Sequence, residues 1–229
     1  MLCYFFLKEG SMTRFSLGCP PLDSFLGGGL ESGIITKIFG EAATGKTNLC
    51  LQAAREFAAT QGTVTFIDTE GVSLERFHQI CGTTSTCDSY LKHIHFYRPL
   101  SFTEQEEIVQ KAVYHEDNGM IIVDTMNLFY RLHLDRDKDE IMRAFTRMVA
   151  TLLQSARRKN QYIIITEQVY TDKTGEIKPF STRDTEHLAK TIIRLEKEEI
   201  GRRRATIIRH RSEPEGKSTI FTITQNGIQ

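Results

Sequence analysis

Residues 40 to 47 read Gly40-Glu41-Ala42-Ala43-Thr44-Gly45-Lys46-Thr47, a complete G-x-x-x-x-G-K-T pattern. The pattern follows an apolar run at residues 34–39 and opens a stretch of helical periodicity. A strand, a glycine-rich turn and a helix N-terminus form a phosphate cradle, because backbone N–H groups and the helix dipole both point at the anion. In such a loop Lys46 contacts the β- and γ-phosphates, and Thr47 is a ligand of Mg²⁺. Residues 40–48, with Asn48 as the last, therefore predict a site for ATP and Mg²⁺.

Composition sets the class of protein and the kind of partner. The 229 residues carry 29 basic and 29 acidic side chains, so any affinity for DNA must come from local patches. The five cysteines are odd in number and form no C-x-x-C pair, which favours a reduced, cytoplasmic protein. The apolar run at residues 2–7 is too short to span a bilayer, and we expect no membrane partner. Because Met12 stands just before the domain-like sequence, we expect residues 1–13 to be an extension that is not native, and residues 14–229 to form one core domain.

Apolar runs typical of buried strands alternate with stretches of helical periodicity along the chain. The predicted strands are 34–39, 63–68, 93–97, 120–124 and 162–166, and the predicted helices are 47–60, 73–81, 101–115 and 137–159. Continuous apolar strands separated by amphipathic helices predict an α/β fold, a P-loop NTPase core with a mostly parallel central sheet flanked by helices. After residue 187 the pattern changes, and residues 191–195, 205–209 and 219–224 predict a C-terminal antiparallel extension.

Three polar side chains lie at the ends of predicted strands, where α/β proteins bind ligands. Asp124 closes an apolar strand, the position of the acid that holds Mg²⁺ in P-loop proteins. Glu70 lies just past strand 63–68, where a carboxylate can orient or deprotonate the attacking water; its position alone also fits an ordinary surface acid. Gln168 follows strand 162–166, where an amide can sense the γ-phosphate, although alone it is unremarkable. The candidate catalytic residues are therefore Lys46, Glu70 and Gln168, and the candidate metal ligands are Thr47 and Asp124.

The order of these motifs resembles the ATPase core of the RecA/RadA recombinase family. The motifs are the P-loop, the run Ile67-Asp68-Thr69-Glu70-Gly71, the apolar run ending at Asp124, and the apolar run followed by Gln168. The resemblance covers about residues 14–226. Within the family the chain looks most like the short archaeal paralogues of RadA. The segment after Gln168 is compact, and residues 209–216 resemble the corresponding segment of those paralogues. The resemblance implies a RecA-like fold in which Glu70 is the catalytic carboxylate and Gln168 reports the nucleotide state.

Several departures from the family pattern bear on function. Recombinases that exchange strands carry a helical DNA-binding domain before the core, for which this chain has no room, and a Phe-x-x-Ala tether, which residues 1–30 lack. Their second DNA loop has a Gly-Gly pair after Lys-Pro, whereas Lys178-Pro179 is followed here by Phe180. Glu167 stands where the family has Asn before the sensor Gln. These departures argue against filament assembly and strand exchange, and they leave the nucleotide site intact.

Two loops, at residues 127–133 and 170–187, match the positions of the family's DNA loops. The candidate DNA-binding residues are Tyr130, Arg131, Lys173, Lys178 and Arg183. Aromatic and arginine side chains suit stacking on bases and contact with phosphates, although from the residues alone these are also ordinary polar loops. A denser basic patch is formed by residues 202–204 with Arg209, His210 and Arg211. It fits a solvated strand face or a phosphate-contacting surface, and Arg209 and Arg211 also fit charges given to a neighbour's ATP, as in KaiC-like relatives.

Together the motifs and the resemblance predict an ATP-binding protein of DNA repair and homologous recombination. We expect it to bind single-stranded or branched DNA, to hydrolyse ATP weakly and to perform no strand exchange of its own. The resemblance implies the main archaeal recombinase and other recombination proteins as partners, with weak self-association. The alternatives are an active strand-exchange recombinase, a KaiC-like signalling ATPase without a DNA role, and a protein that holds nucleotide only structurally, against which Glu70 argues.

Overall fold

The computed structural model describes residues 12–133, 138–172, 177–180 and 183–229. Its helices are α1 (Pro20–Phe25), α2 (Lys46–Ala59), α3 (Leu74–Cys81), α4 (Thr84–Leu91), α5 (Phe102–Tyr114), α6 (Leu128–His133), α7 (Lys138–Lys159) and α8 (Arg183–Leu188). Its strands are β1 (Arg14–Phe15), β2 (Leu30–Glu31), β3 (Ile34–Gly40), β4 (Thr63–Asp68), β5 (Ile94–Tyr97), β6 (Asn118–Asp124), β7 (Tyr162–Glu167), β8 (Val169–Thr171), β9 (Ile177–Pro179), β10 (Thr191–Lys197), β11 (Arg202–Arg209), β12 (Ser218–Thr224) and β13 (Gly227–Ile228).

Within these residues nine of the strands form one sheet, in the order β13-β12-β11-β10-β3-β7-β6-β4-β5. Every neighbouring pair from β10 to β5 is parallel, whereas β10 to β13 pair antiparallel. The predicted α/β fold with a C-terminal antiparallel extension is therefore confirmed. Because β3, β7, β6 and β4 run in the same direction, their carboxyl ends meet at one edge of the sheet, and the candidate site lies there.

Each face of the sheet carries its own hydrophobic core. One core packs α2, α3 and α4 against the sheet and includes Phe66 and Phe77. The other lies under α5 and α7 and includes Phe145 and Ile165. Since alternate residues of a strand point to opposite faces, the strands buried on both sides read as continuous apolar runs, which is why the sequence revealed them.

The antiparallel extension is fixed to the P-loop helix by Gln52, a residue of α2 that is 1% exposed. Its Nε2 donates to the carbonyl oxygens of Leu17 (3.0 Å) and Ile228 (3.1 Å), and its Oε1 accepts from the N–H of Ile228 at 2.7 Å. All three bonds are buried, so their loss would leave polar groups without partners. The extension and the P-loop helix thus belong to one packed unit.

Several features differ from the sequence-based expectations or lie beyond them. The unpredicted elements include the helices α1, α4, α6 and α8 and the hairpin β8–β9. Most of the extension predicted at residues 1–13 lies outside the described residues, but Thr13 hydrogen-bonds with Ser32 (2.9 Å) and Tyr162 (2.8 Å) and so contacts the core. No helix in the described ranges combines the length and apolar composition needed to cross a bilayer.

Candidate nucleotide site

The predicted P-loop is the turn between the end of β3 at Gly40 and the start of α2 at Lys46. Gly45 caps α2 with a φ of 101°, in the left-handed region that favours glycine. A Cβ on Gly40 would lie 2.3 Å from the carbonyl oxygen of Leu195, so only glycine fits where β3 passes β10. Glycine is therefore required at the two positions for different reasons, the backbone angle at Gly45 and the close approach at Gly40. Together the two residues place the N-terminus of α2 at the sheet edge.

Lys46 is the first residue of α2 and is 7% exposed. Its Nζ donates to the carbonyl oxygens of Gly40 (2.8 Å) and Glu41 (2.9 Å), so the side chain folds back over the loop. Burial lowers the pKa of the Lys46 ammonium, and the nearby carboxylates of Glu70 and Asp124 oppose that shift. The ammonium thus lies at the loop, the position that a P-loop lysine needs in order to contact β- and γ-phosphates.

Asp124 closes β6 and is 1% exposed. The Thr166 hydroxyl, on the neighbouring β7, donates to Asp124 Oδ1, and Thr47 also hydrogen-bonds to the carboxylate. Burial raises the pKa of Asp124, and the hydrogen bonds from Thr166 and Thr47 oppose the rise. The two residues predicted as metal ligands are therefore in contact.

A hydroxyl and a carboxylate fit Mg²⁺, which prefers oxygen donors and keeps several waters. A cation beside Thr47 and Asp124 would also offset the cost of burying the Asp124 charge. In the part of the chain that the structure describes, no cluster of three or more His, Cys, Asp or Glu could hold a metal alone. Phosphate oxygens and water would therefore complete the coordination of Mg²⁺.

Glu70 lies two residues beyond β4 and is exposed at the sheet edge. Its Oε1 accepts a hydrogen bond from the Thr125 hydroxyl (3.0 Å) and another from the amide of Gln168. Thr125 is itself fixed, because its backbone N–H donates to Thr69 Oγ1 at 2.8 Å. The carboxylate therefore joins the ends of β4, β6 and β7, and Glu70 and Gln168 are in contact although 98 residues separate them.

The turn that carries Glu70 is organised by Asp68, the last residue of β4, which is 3% exposed. Its carboxylate accepts from the backbone N–H groups of Glu70 (3.2 Å), Gly71 (2.7 Å) and Val72 (2.7 Å). Arg98, just after β5, pairs with the same carboxylate at 2.9 Å. One buried carboxylate thus folds the turn and aims Glu70 at the cleft.

Replacing Asp68 with alanine should lower the free energy of unfolding by about 3 kcal/mol, because several donors lose a charged acceptor at once. Asp68→Asn keeps one acceptor oxygen and should lose less. Urea unfolding of both variants measures the difference, with the exposed Asp88→Ala on α4 as a control of the same chemistry. An Asp68→Ala variant as stable as Asp88→Ala would contradict this role.

Gln168 is tied to the chain around it as well as to Glu70. The side chain of Asn127, fully buried, accepts from the Gln168 N–H (3.0 Å) and donates to the Gln168 carbonyl (3.0 Å). The same amide donates to the carbonyl of Phe180 at 3.3 Å, and the Phe180 N–H donates to Gln168 O at 3.1 Å. Gln168 is therefore fixed at the base of the β8–β9 hairpin.

Glu167, which departs from the family pattern, forms a buried ion pair with Lys37 of β3. Their Nζ and Oε2 atoms are 2.8 Å apart, and the two side chains are 1% and 0% exposed. A buried carboxylate requires such a partner, because an uncompensated charge in the core costs several kcal/mol. Lys37 therefore explains how an acid is accommodated beside Gln168.

Tyr130 does not occupy the surface position that its predicted role in DNA binding requires. Its side chain is 6% exposed, and its ring stacks on Phe145 of α7 with centroids 4.5 Å apart. Burial raises the pKa of the Tyr130 hydroxyl, and the charge of Glu167 adds to the rise. The prediction that Tyr130 binds DNA is therefore wrong. Helix α6 points this residue into the core under α7, so its ring cannot stack on bases.

The other candidate DNA residues lie in different surroundings. Arg131 lies over the ring of Phe180, with its guanidinium carbon 4.4 Å from the centroid. Lys178 pairs with Asp172 at 2.6 Å on the hairpin, and Arg183 is the first residue of α8. Lys173 lies outside the described residues. Their predicted contacts with DNA stay predictions.

The basic patch at residues 202–204 is largely paired within the chain. Arg204 contacts Glu198, Arg202 lies 3.4 Å from Glu199, and Arg203 donates to the carbonyl of Ala43 at 3.1 Å. Arg209 donates to the carbonyl of Glu186 at 2.6 Å. These contacts favour a structural role for much of the patch, and Arg203 braces the P-loop itself.

Lys46, Glu70 and Gln168 line one cleft of about 510 Å³, within the size range of small-molecule sites. Its full lining is Gly40, Glu41, Ala42, Lys46, Glu70, Arg131, Gln168, Val169, Tyr170 and Lys197. Asn48, the last predicted nucleotide residue, accepts from Arg76 Nε at 2.6 Å and lies further along α2. The three predicted catalytic residues are therefore brought together with the P-loop.

Sequence reasoning missed the residues that hold this constellation in place. They are Asp68, Arg98, Thr125, Asn127 and Thr166, with Lys197 in the cleft wall. Asp68 was visible as part of a motif, and Thr125 and Asn127 follow Asp124 directly. Their roles depend on which strands are neighbours, and no local pattern gives that order.

Comparisons with known proteins agree with this geometry. The family model described as Rad51 matches residues 8–229. The chain is 44% identical over 216 residues to the DNA repair and recombination protein RadB of Methanococcoides burtonii, covering 92% of this chain and 95% of the relative. It is 39% identical to the protein of that name from Thermoplasma acidophilum, covering 97% and 96%. A crystal structure of the RadB recombinase superposes with a TM-score of 0.80 at 31% identity, over 93% of this chain and 97% of that one.

The family match, the length of the shared alignments and the shared fold all lead to one assignment. The order of the P-loop, Glu70, Asp124 and Gln168 had indicated the recombinase ATPases and, among them, the short paralogues of RadA. This chain belongs to the Rad51 family and, within it, to the RadB proteins.

Proposed function

We propose that this protein is a cytoplasmic DNA repair and recombination factor that binds ATP·Mg²⁺ and DNA. In this proposal ATP acts mainly as a switch of DNA binding, with weak hydrolysis. The contact of Gln168 with Glu70 carries the proposal, because the same residue is fixed by Asn127 at the base of the hairpin β8–β9. A γ-phosphate that drew the Gln168 amide away from Glu70 would therefore move the hairpin.

The residues of the cleft have separate roles in ATP hydrolysis. Lys46 binds the β- and γ-phosphate oxygens, and Thr47 with Asp124 would hold Mg²⁺, which neutralises the charge that develops on the transferred phosphoryl group. Glu70 orients the attacking water and accepts its proton. Thr125 and Gln168 both donate to the oxygen Oε1 of Glu70, which leaves Oε2 to accept from the attacking water. Slow turnover is supported by the departures from the family pattern, in a family whose members are typically ATPases.

We further propose that the protein performs no strand exchange of its own and acts with the main archaeal recombinase or other recombination proteins. The hairpin supports this view, because Phe180 follows Lys178-Pro179 where exchange enzymes have a pair of glycines. Phe180 is packed between Tyr170, at a ring distance of 4.6 Å, and Arg131. A D-loop assay tests the proposal: pairing of homologous strands by this protein alone would instead indicate an active recombinase, and autophosphorylation without DNA binding would indicate a signalling ATPase.

The switch predicts that DNA affinity depends on the nucleotide. Titration of a fluorescent single-stranded or branched DNA should give a Kd about tenfold lower with ATP than with ADP, a coupling in the usual range for linked sites. Samples without nucleotide give the reference state. Equal DNA affinity in all three states would refute the switch, and absence of DNA binding in all of them would refute the function.

Salt dependence is the matched test of how DNA is held. If basic side chains of residues 170–187 contact phosphates, log Kd should rise linearly with log salt concentration, with a slope of about 0.7 per phosphate contact for a single strand. A flat dependence would contradict phosphate contacts by this loop.

A further inference from the structure

Arg131 occupies a place that its predicted role in DNA binding does not explain. It belongs to α6, which follows the strand end at Asp124, and its side chain lines the nucleotide cleft together with Lys46, Glu70 and Gln168. The P-loop residues Gly40, Glu41 and Ala42 line the same cleft. The cationic side chain thus shares a cavity with the groups that bind the terminal phosphates.

The guanidinium of Arg131 is oriented but chemically unsatisfied. Among the described residues the guanidinium lies over the ring of Phe180, 4.4 Å from guanidinium carbon to centroid, and no ion pair or hydrogen bond there engages the guanidinium N–H groups. A ring covers one face of the guanidinium plane and leaves the in-plane N–H donors available. Such a fixed fork of donors matches the oxygens of a phosphate better than a flexible ammonium does.

The same contact links Arg131 to the hairpin. The Phe180 N–H donates to the Gln168 carbonyl at 3.1 Å, and Asn127 donates to the carbonyls of both Gln168 and Phe180. On the other side, the Phe180 ring lies 4.6 Å from that of Tyr170, which also lines the cleft. Arg131, Phe180 and Tyr170 therefore form a continuous row from the cleft to the hairpin β8–β9.

We propose that Arg131 binds the γ-phosphate of ATP and, through Phe180, makes the position of the hairpin depend on that phosphate. This inference rests on the ATP site proposed above. It gives the protein a way to distinguish ATP from ADP that is separate from Gln168. Arg131 is then a nucleotide-binding residue in this chain, and its influence on DNA is indirect.

The test compares nucleotide affinities of the wild type with those of Arg131→Ala, using fluorescent ATP and ADP analogues. The variant should bind ATP about tenfold to a hundredfold more weakly, the range for loss of a hydrogen bond to a charged group, and ADP within about twofold of the wild type. Phe180→Leu keeps the charge and removes the ring. It should retain most of the ATP affinity, while the ratio of DNA Kd values measured with ADP and ATP falls towards one.

Arg143→Ala is the matched control, because Arg143 is an exposed arginine of α7 outside the cleft. Arg131→Lys keeps the positive charge without the fork and should show an intermediate loss of ATP affinity, which guards against an alanine variant that folds poorly. Unchanged ATP affinity in Arg131→Ala, with DNA affinity reduced by the same factor with ATP, with ADP and without nucleotide, would overturn the inference and make Arg131 a DNA contact. Failure of the wild type to bind ATP would instead refute the proposed function on which the inference rests.

Discussion

Replacing Lys46 with alanine should lower the rate of ATP hydrolysis by about 10²- to 10³-fold, the cost of removing one positioned charge from a transition state. The ammonium lies at the P-loop, with Glu70 and Asp124 close enough to affect its pKa. Nucleotide binding should weaken as well, because in the proposed site Lys46 also contacts phosphates in the ground state. Steady-state turnover and titration with a fluorescent nucleotide measure the two effects separately.

Protein stability distinguishes this loss from misfolding. Burial opposes the charged form of Lys46, so removal of the ammonium relieves a cost while it breaks the bonds to Gly40 and Glu41. The free energy of unfolding should therefore change by no more than about 1 kcal/mol. Lys92→Ala, at the exposed end of α4, is the control for loss of a lysine. Wild-type turnover in Lys46→Ala would show that the cleft is not the site of hydrolysis.

Replacing Glu70 with glutamine should lower kcat by about 10²- to 10⁴-fold and leave ATP affinity within about threefold of the wild type. The amide has the size of the carboxylate, and its oxygen can still accept from Thr125 and Gln168. The site should therefore keep its shape and lose only the group that accepts a proton. Single-turnover kinetics at saturating ATP, with binding measured independently, separate the two quantities.

Glu75→Gln makes the same chemical change on the exposed first turn of α3 and should have wild-type turnover. If Glu70→Gln hydrolysed ATP at the wild-type rate, Glu70 would be a structural acid. If turnover were undetectable in the wild type while ATP still bound tightly, the reading of a protein that holds nucleotide only structurally would gain support.

The parts of the site that could be predicted are those that lie next to one another in the sequence. The P-loop is a local motif, and Asp124 and Gln168 follow apolar runs whose strand character is plain. That these residues lie close together could be predicted as soon as the strands were taken to be parallel. The residues that hold them were out of reach, because Thr166 donates to Asp124 across a strand boundary and Arg98 reaches Asp68 from the end of the neighbouring strand β5.

Two misjudged features have equally specific causes. Residues 84–91 form α4 although only Cys87 among them is buried, so they lack the apolar stripe that marks a helix in a sequence. Tyr130 and Arg131 are adjacent and were assigned one role, but successive residues of a helix point about 100° apart. One side chain therefore stacks on Phe145 in the core while the next lines the cleft.

The Lys37–Glu167 pair links β3, which leads into the P-loop, to β7, which precedes Gln168. The stability of this link depends on temperature in its own way. Hydration of charged groups becomes less favourable as temperature rises, so the cost of keeping two charges out of water falls on warming. Hydrophobic contacts gain no comparable advantage over the same range. The relative contribution of this pair to the contact between β3 and β7 should thus rise with temperature.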